Sequence, residues 1–380
     1  MNNFSFQNPT RLVFGKGQIT QLSTLIPSDK KLMLTFGGGS VRKNGVYDQV
    51  TEALKNHRYI EFWGIEPNPT VETLRKAITE GKKNNIDFIL AVGGGSVLDG
   101  TKLVAAGICY DGDPWDIVLQ GYSNDSIQFA SVMTLPATGS EMNAGAVISR
   151  SETKEKFAFQ NRHPFFSILD PETTFSLPPY QIACGIADIF VHVVEQYMTT
   201  PGQSRAMDRW AEGILQNLVE IAPKIRDNQN DYDLMADYML SATLALNGFI
   251  SMGVTQDWAT HMIGHELTAL HGITHGHSLA IVYPGTLRTL KDQKWGKILQ
   301  YGSRVWNVNE GSEEERIDKA ISATESFFRS LGLATRLSEN GAGDETIDHI
   351  VTRFNKKAAA YGEKRNVTGE VAGRILMNCK

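Results

Sequence analysis

The segment DFILAVGGGSVLDGTK, residues 87–102, decides the fold class. Residues 87–92 form a short apolar run of the kind that makes a buried strand, and three glycines lead from it into a helical pattern. A strand that passes through glycines into a helix is typical of the first turn of a βαβ unit. The segment therefore predicts a parallel sheet flanked by helices.

The rest of the first half repeats this alternation of strand and helix. Strand patterns occupy residues 31–36, 129–138 and 165–171, and residues 70–85 form an amphipathic helical pattern. The first of these strands also ends in GGGS. Successive strands and helices at this spacing predict an α/β domain with a parallel sheet, which we place at residues 1–177.

The second half carries helical patterns almost without interruption. Pro178 and Pro179 mark a stop and a restart of the pattern, so we place a domain boundary near residue 177. The helical patterns after them cover residues 180–199, 205–223, 232–249, 256–270, 278–291, 295–303, 311–331 and 345–360. We predict an all-helical second domain at residues 178–380.

Composition excludes several classes of protein. The chain has 380 residues, 41% hydrophobic and 21% charged, which suits a globular protein of one large or two smaller domains. A net charge of −5 provides no basic surface for nucleic acid or for a membrane. There is neither a signal-peptide pattern nor an apolar run of about 18 residues. Three widely spaced cysteines favour a reducing cytoplasm.

The glycine turn at residues 93–95 has the features of a phosphate site. Glycine lets the backbone approach a ligand, and the start of the following helix offers free N–H groups to a pyrophosphate. Ser96 and Asp99 have the spacing of a helix capping box, so a plain capped turn is the alternative. The turn lacks the GxGxxG fingerprint, and its lysine follows the threonine instead of preceding it, which excludes a P-loop.

The earlier glycine turn bears on the choice of cofactor. Dinucleotide sites often carry an acidic residue near this place to bind the adenosine ribose hydroxyls. Here the place holds Gly37, Gly38, Gly39 and Ser40. With Arg42 and Lys43 close by and no carboxylate, the turn would tolerate a 2′-phosphate, which favours NADPH over NADH. The alternative is a surface turn with two solvated cations.

Two histidine-containing segments of the second half suggest a metal. Asp188 and His192 lie four residues apart in an apolar helical pattern, so they share one face, and a buried carboxylate needs compensation. Glu195 is either a partner of such a site or a surface residue. Five more histidines fall within residues 261–277, at His261, His265, His271, His275 and His277.

The histidine pattern does not by itself choose the ligands. The spacing differs from HExxH, so the zinc-protease motif is not met, and the last three histidines fall in a glycine-interrupted stretch that predicts a turn. One aspartate and three histidines would complete a four-ligand site for a divalent ion.

Together these motifs resemble those of a known family. The chain is similar, over nearly its whole length, to the iron-containing (group III) alcohol dehydrogenases, and most to their NADPH-dependent aldehyde reductase and butanol dehydrogenase branch. The resemblance is carried by FGKG, GIEPNPT, AVGGGSVLDGTK, TLPATGSEMNAGAVIS, LDPETTFSLPP, DIFVHVVEQY and QDWATHMIGHELTALHGITHGHSLAIV. It implies a dehydroquinate-synthase-like fold, with a dinucleotide-binding domain at residues 1–177 and a metal-binding domain at 178–380.

The resemblance also implies site residues. The metal ligands of the family fall on Asp188, His192, His261 and His275, whereas His265 matches a catalytic histidine that faces the substrate and the nicotinamide. His271 and His277 match no ligand, although His277 leaves a ligand swap open. The cofactor-binding positions of the family fall on Asn68, Gly94, Gly95, Ser96, Asp99, Thr134, Thr138, Ser140 and Lys156, and they join the candidates Gly37, Gly38, Gly39 and Ser40 of the earlier turn. In NAD-preferring relatives an aspartate occupies the position of Gly38.

The activity implied is hydride transfer between NADPH and a small aldehyde whose oxygen is bound to Fe(II) or Zn, with a homodimer as the assembly. One alternative is an NADH-linked butanol dehydrogenase. Another is a sugar- or glycerol-phosphate dehydrogenase of the same fold, which needs cations near the metal, but residues 178–280 offer only Arg205, Arg209, Lys224 and Arg226. A non-enzymatic metal-binding protein would leave both glycine turns unexplained.

Overall fold

The computed structural model describes residues 1–200 and 204–380 and divides into two compact units. The sheet unit consists of Gln7–Leu177 and Gln229–Asn247. The helical unit consists of Met1–Phe6, Pro178–Asn228 and Gly248–Lys380. The first stretch of the sheet unit ends at Leu177, immediately before the proline pair Pro178 and Pro179.

The strands and helices follow one another in a regular order. The strands are β1 (Arg11–Phe14), β2 (Lys31–Phe36), β3 (Arg58–Phe62), β4 (Phe88–Gly94), β5 (Gln128–Leu135), β6 (Gly145–Arg150), β7 (Glu155–Gln160) and β8 (Phe166–Leu169). The helices of the sheet unit are α1 (Leu22–Leu25), α2 (Ser40–Lys43), α3 (Val46–Ala53), α4 (Val71–Lys83), α5 (Gly95–Ile108), α6 (Pro114–Gln120) and, later in the chain, α9 (Tyr232–Ala245). Those of the helical unit are α7 (Pro179–Tyr197), α8 (Arg205–Asp227), α10 (Ala259–His271), α11 (His275–Thr289), α12 (Lys291–Trp306), α13 (Glu313–Ser330), α14 (Asp344–Lys356) and α15 (Gly369–Met377).

The main sheet is parallel, as the glycine-strand pattern predicts. Its strand order is β1-β8-β5-β4-β2-β3, and β6 and β7 form a separate antiparallel hairpin. The predicted strands correspond to β2, β4, β5 and β8. We did not predict β1, β3 or the hairpin, because edge strands and half-exposed hairpins show little contrast between apolar and polar positions.

Both faces of the sheet are buried beneath helices. On one face, Leu34 and Leu90 pack in a cluster with residues of α3, and on the other, Ile89 packs with residues of α4 and α5. The connection after β2 therefore crosses one face, and the helix after β4 covers the other. Because β2 and β4 are neighbours, with Phe36 paired to Val92, their carboxyl ends form a topological switch point.

Helix α9 belongs to the sheet unit, although it falls in the second half of the sequence. The Tyr238 hydroxyl donates to the Pro136 carbonyl oxygen at 2.6 Å, and the Thr243 hydroxyl is hydrogen-bonded to the Glu141 carboxyl. Residues 229–247 therefore belong to the sheet unit, and residues 1–6 belong to the helical unit. The two units do not coincide with the consecutive ranges 1–177 and 178–380 at these segments.

The helical unit has its own core. Helices α10, α11, α14 and α15 share one apolar cluster, and Phe190 of α7 contacts Trp306, Phe327 and Phe328. The predicted helical patterns correspond to α7–α14, whereas α15 was not predicted. Among the described residues, no helix combines the length and hydropathy that crossing a membrane requires.

Candidate metal centre and dinucleotide site

Helix α7 places a carboxylate and an imidazole on one buried face of the helical unit. Asp188 and His192 are one turn apart and only 3% and 4% exposed. The helix starts at a proline, which suits a first helical turn, and its side chains are buried from Ile182 to Tyr197. Burial of a carboxylate among apolar neighbours is costly unless an opposite charge compensates it.

Two other helices bring histidines to the same carboxylate. The Asp188 Oδ1 atom lies 3.7 Å from Nε2 of His192, 3.9 Å from Nε2 of His261 in α10 and 3.5 Å from Nε2 of His275 in α11. The possible ligand atoms of Asp188, His261 and His275 all lie within 4.8 Å of one another. Three helices thus converge on a single oxygen.

These donors suit a divalent ion by their chemistry and by their spacing. Histidine nitrogens and a carboxylate oxygen bind Zn or Fe(II) at about 2.0–2.2 Å, and tetrahedral ligands at that radius lie about 3.4 Å apart. The distances from Asp188 Oδ1 are close to this value. A cation would also offset the buried negative charge of Asp188.

The other histidines of residues 261–277 have different surroundings. His277 exchanges hydrogen bonds through Nδ1 with the Tyr180 hydroxyl (3.0 Å) and through Nε2 with the Ala334 carbonyl (2.9 Å), and burial lowers its pKa. This geometry does not favour a ligand swap. His271, which ends α10, contacts the Thr346 hydroxyl at 2.9 Å. The predicted turn is wrong at its end, because α11 begins at His275 itself.

His265 lies beside the four-residue cluster. It follows His261 by one turn of α10, and its ring centre is 6.3 Å from that of His261 and 4.9 Å from that of His275. Trp258, in a left-handed conformation with φ of 65°, packs edge-on against His261 at 5.1 Å. His265 is partly exposed, so it neighbours the cluster and still reaches solvent.

Glu195 contacts the cluster formed by Asp188, His192, His261 and His275 and does not lie at the surface. Its side chain is 2% exposed and accepts a hydrogen bond from Nδ1 of His261. Burial, and then the negative charge of Asp257, raise the pKa of Glu195, whereas the amides of Thr260 and His261 and the ammonium group of Lys294 favour its carboxylate form. The sequence left both readings open, and the contact with His261 decides between them.

A second group of predicted residues meets at the switch point of the sheet unit. The turn of Gly37–Ser40 follows β2, and Gly94 and Gly95 join β4 to α5. A Cβ atom on Gly95 would lie 2.3 Å from Thr138 Oγ1, so only glycine fits this close approach. By contrast, a Cβ atom on Gly38 would have nothing within 4 Å.

The capping box, which was the alternative interpretation of the second glycine turn, is absent from the described structure. Ser96 is the second residue of α5, and that helix starts at Gly95 with no side-chain cap on its N-terminus in the described structure. Asp99 instead accepts hydrogen bonds from the Ser140 hydroxyl (2.7 Å) and from the Val147 amide (2.9 Å). The N–H groups at the start of α5 are therefore not blocked by Asp99, as a phosphate site requires.

Lys102, on the helix that follows this turn, holds residues 140–145 against α5, and we did not predict that role. It is fully buried, and its Nζ donates to the Ser140 hydroxyl (2.7 Å), to Asn143 Oδ1 (3.2 Å) and to the carbonyls of Ser140 and Gly145. Burial lowers its pKa to about 8. The signal in the sequence was a lysine within an otherwise apolar helix, which needs buried acceptors.

Asn68 contacts two other predicted residues. Lys156 Nζ donates to Asn68 Oδ1 at 2.8 Å, and the Asn68 amide lies 3.4 Å from the Ser96 hydroxyl.

Thr134 lies near the carboxyl end of β5, where it is 6% exposed. Arg42 is less available than expected, because its guanidinium stacks over the Trp63 ring at 4.1 Å.

The sheet unit has glycine turns at its switch point, and the helical unit has an aspartate–histidine cluster. Together these features are those of a metal-dependent, nucleotide-linked oxidoreductase. Two family models match the chain: iron-containing alcohol dehydrogenase over residues 9–171, and the C-terminal part of the Fe-containing alcohol dehydrogenase family over residues 182–378. The chain belongs to the iron-containing alcohol dehydrogenase family.

Named relatives cover the whole length of the chain. It is 50% identical to the NADPH-dependent aldehyde reductase YqhD of Escherichia coli and 42% identical to the probable NADH-dependent butanol dehydrogenase 1 of Bacillus subtilis, with 99% of each chain covered in both comparisons. The crystal structure of E. coli YqhD matches with a TM-score of 0.98 at 49% identity, covering 100% of this chain and 99% of that one. NADH-dependent butanol dehydrogenase A of Thermotoga maritima matches with a TM-score of 0.95 at 34% identity and the same coverage. These relatives confirm the predicted family and fold.

Proposed function

We propose that this enzyme reduces small aldehydes with NADPH, and oxidises the corresponding primary alcohols in reverse, at a divalent metal held by Asp188, His192, His261 and His275. The observation that carries the proposal is the position of Asp188 Oδ1, 3.5–3.9 Å from the Nε2 atoms of the three histidines. A metal bound there, Fe(II) or Zn, supplies a Lewis acid to the carbonyl oxygen of the substrate, while NADPH supplies the hydride.

The residues of the helical unit prepare this chemistry before substrate arrives. Three neutral imidazoles and one carboxylate would neutralise only part of the charge of a divalent ion, so a bound metal would stay positive. Burial of Asp188 and His261 keeps water from competing with these side chains for the metal. With a metal bound, these residues would hold a preorganised positive charge where the substrate oxygen gains negative charge during reduction.

For the sheet unit, we propose that the two glycine turns bind the dinucleotide. Gly94, Gly95 and Ser96 bring the N-terminal amides of α5 to the pyrophosphate. The remaining proposed contacts are Gly37, Gly38, Gly39, Ser40, Asn68, Asp99, Thr134, Thr138, Ser140 and Lys156. The contacts of Asp99 with Ser140 and of Lys156 with Asn68 support this group, because they join side chains from separate segments of the sheet unit.

Preference for NADPH is proposed to depend on the absence of a carboxylate at Gly38. We expect Gly38→Asp to shift the NADPH/NADH ratio of kcat/KM toward NADH by about tenfold or more, because two like charges about 5 Å apart repel by about 3 kcal/mol at an effective dielectric constant of about 20, and ~1.4 kcal/mol is enough for tenfold. The open space at Gly38 admits the side chain. Steady-state kinetics with both cofactors provides the measurement.

Gly38→Asn is the matched control, since it adds similar volume without charge. It should retain the preference for NADPH. If Gly38→Asp keeps the wild-type ratio, or if Gly38→Asn shifts it equally, the 2′-phosphate is not bound near Gly38, and the alternative of an NADH-linked butanol dehydrogenase gains support.

His265 is proposed as the group that passes a proton to the nascent alcohol, because it lies beside the ligands and is partly exposed. We expect His265→Ala to lower kcat by about 10²–10⁴-fold while the protein keeps its full metal content. Metal analysis of the purified variant accompanies the kinetics. Loss of the metal from this variant would contradict the assignment of ligands.

A phosphorylated substrate has less support. Near the cluster, such a substrate would need cationic side chains that are not already paired. Of the four cations at residues 178–280, three, namely Arg209, Lys224 and Arg226, form ion pairs with neighbouring acids on α8. This pairing favours an uncharged aldehyde over a sugar- or glycerol-phosphate.

We also propose that the enzyme works in the cytoplasm as a homodimer. Light scattering coupled to gel filtration would test the assembly, and a mass of one chain, 42.0 kDa, at micromolar concentration would contradict it.

The function is tested by following NADPH oxidation with butanal. The purified enzyme is measured as isolated, after removal of metal by a chelator, and after addition of Fe(II) or Zn. We expect activity to disappear with the metal and to return with at least one of the two ions. An enzyme that oxidises NADPH equally well after complete removal of metal would overturn the proposal.

A further inference from the structure

We infer that Glu195 is a positioning residue for the metal centre, which fixes His261 as a ligand through Nε2 and holds the start of α10 in register with α7. The inference rests on the proposed function, since it takes Asp188, His192, His261 and His275 as the metal ligands.

Three N–H donors converge on the Glu195 carboxylate. Oε1 accepts the Thr260 amide at 2.7 Å, and Oε2 accepts the His261 amide at 3.2 Å together with Nδ1 of the same residue. The carboxylate projects from α7 one turn after His192, and all three donors belong to the first turn of α10. One side chain therefore joins the two helices that carry most of the cluster.

The bond to Nδ1 decides which nitrogen of His261 can bind a metal. A carboxylate only accepts hydrogen bonds, so Nδ1 carries the proton and the lone pair of the neutral ring lies on Nε2. Nε2 is the atom that faces Asp188 Oδ1, at 3.9 Å. A hydrogen bond of this kind fixes the ring orientation of a metal-binding histidine and raises its basicity.

The bonds to the two backbone amides fix where α10 begins. The helix starts after Trp258, which is left-handed and provides no side-chain cap. Asp257 Oδ1 accepts the Ala259 amide at 3.0 Å, and Glu195 accepts the next two amides. A negative charge at a helix N-terminus is favourable, so Glu195 caps α10 from another helix. The position of the His261 backbone relative to α7 therefore depends on this carboxylate.

Glutamine is the substitution that isolates this role. A cavity of about 10 Å³ already borders Glu195, so truncation to alanine would enlarge it and weaken packing. Glu195→Gln keeps the shape, but its NH₂ group must face either the Thr260 amide or the donors of His261. In either orientation the NH₂ group would face an N–H donor. In the second orientation, the acceptor that holds the proton on Nδ1 of His261 would also be lost.

Glu212→Gln is the matched control. Glu212 is also buried, at 3% exposure, and also accepts several hydrogen bonds, from Tyr197, Gln300 and Arg304. Those partners include none of the proposed ligands. The control should lower stability without a specific effect on metal binding.

The experiment measures Zn²⁺ affinity of the full-length protein by competition with a chelator, together with unfolding of the metal-free form. We expect Glu195→Gln to weaken Zn²⁺ binding by about 10–100-fold, and Glu212→Gln to leave it within about twofold. The absorption spectrum of the Co²⁺-loaded protein should change in Glu195→Gln only, because an altered His261 changes the ligand field. Glu195→Asp retains a carboxylate and should bind Zn²⁺ with intermediate affinity.

The outcomes distinguish the role of Glu195 from the existence of the metal centre. Equal Zn²⁺ affinity and equal Co²⁺ spectra for wild type, Glu195→Gln and Glu195→Asp would overturn the positioning role and leave the proposed function intact. Failure of the wild type to bind Zn²⁺ or Co²⁺ would overturn the metal centre itself. If Glu195→Gln does not fold, the comparison of Glu195→Asp with wild type decides, and unchanged affinity again overturns the inference.

Discussion

Asp188→Asn is expected to abolish tight metal binding and to lower kcat/KM for butanal by about 10³-fold or more. The carboxylate is the one anionic ligand in the proposed set, and each of the three histidines has its Nε2 within 3.9 Å of the same oxygen. A metal Lewis acid contributes several kcal/mol to the transition state, and each ~1.4 kcal/mol is tenfold in rate. Asparagine keeps the volume of the side chain and removes its charge.

Metal content and kinetics of the same preparation provide the measurement. The matched control is Asp208→Asn in α8, since Asp208 is another buried aspartate of the helical unit but pairs with Lys297 at 2.7 Å. That variant should lose stability and keep its metal. An Asp188→Asn enzyme that retains metal and near-normal activity would show that the cluster is not the catalytic centre.

Gly276→Ala is expected to lower the free energy of unfolding by about 3 kcal/mol and to weaken metal binding by more than tenfold. A Cβ atom on Gly276 would lie 1.9 Å from the Cys184 carbonyl oxygen, which is a backbone atom of α7. Because neither helix can yield through a side-chain rotation, α11 must move away from α7. The movement carries His275, the preceding residue, away from Asp188.

Urea unfolding of the metal-free protein and Zn²⁺ competition test this prediction. Gly296→Ala in α12 is the control, since a Cβ atom there meets nothing within 4 Å. It should raise stability by about 0.5–1 kcal/mol through helix propensity and leave metal affinity unchanged. Wild-type stability and affinity in Gly276→Ala would mean that α7 and α11 are not packed as closely as their backbones indicate.

Much of the fold followed from local patterns in the sequence. The apolar run before Gly93 predicted a central strand because such a strand is buried on both faces. The strands β1 and β3 escaped prediction because they lie at the sheet edges, where burial is incomplete and the pattern is weak. Helix α9 was predicted as a helix, but its place in the sheet unit depends on Tyr238 and Thr243 contacting distant residues.

The sequence predicted many of the residues in the candidate site, but not how they contact one another. Periodicity placed Asp188 and His192 on one face of a helix, and the family resemblance proposed His261 and His275 among five histidines. The capping interpretation of Asp99 was wrong, because its partners Ser140 and Val147 are more than forty positions away in the chain. The spacing of residues within one helical turn carries no information about hydrogen bonds to residues so distant in the chain.

The sequence by itself determined the parallel α/β architecture, the helical second half and the family, since these depend on patterns within one element or on whole motifs. Only the tertiary structure decided that Asp188 Oδ1 faces three histidines, that Glu195 joins α7 to α10, and that Lys102 is buried against Ser140. The physical reason is that periodicity specifies which face of a helix is buried, whereas the partner of that face depends on how separate helices pack.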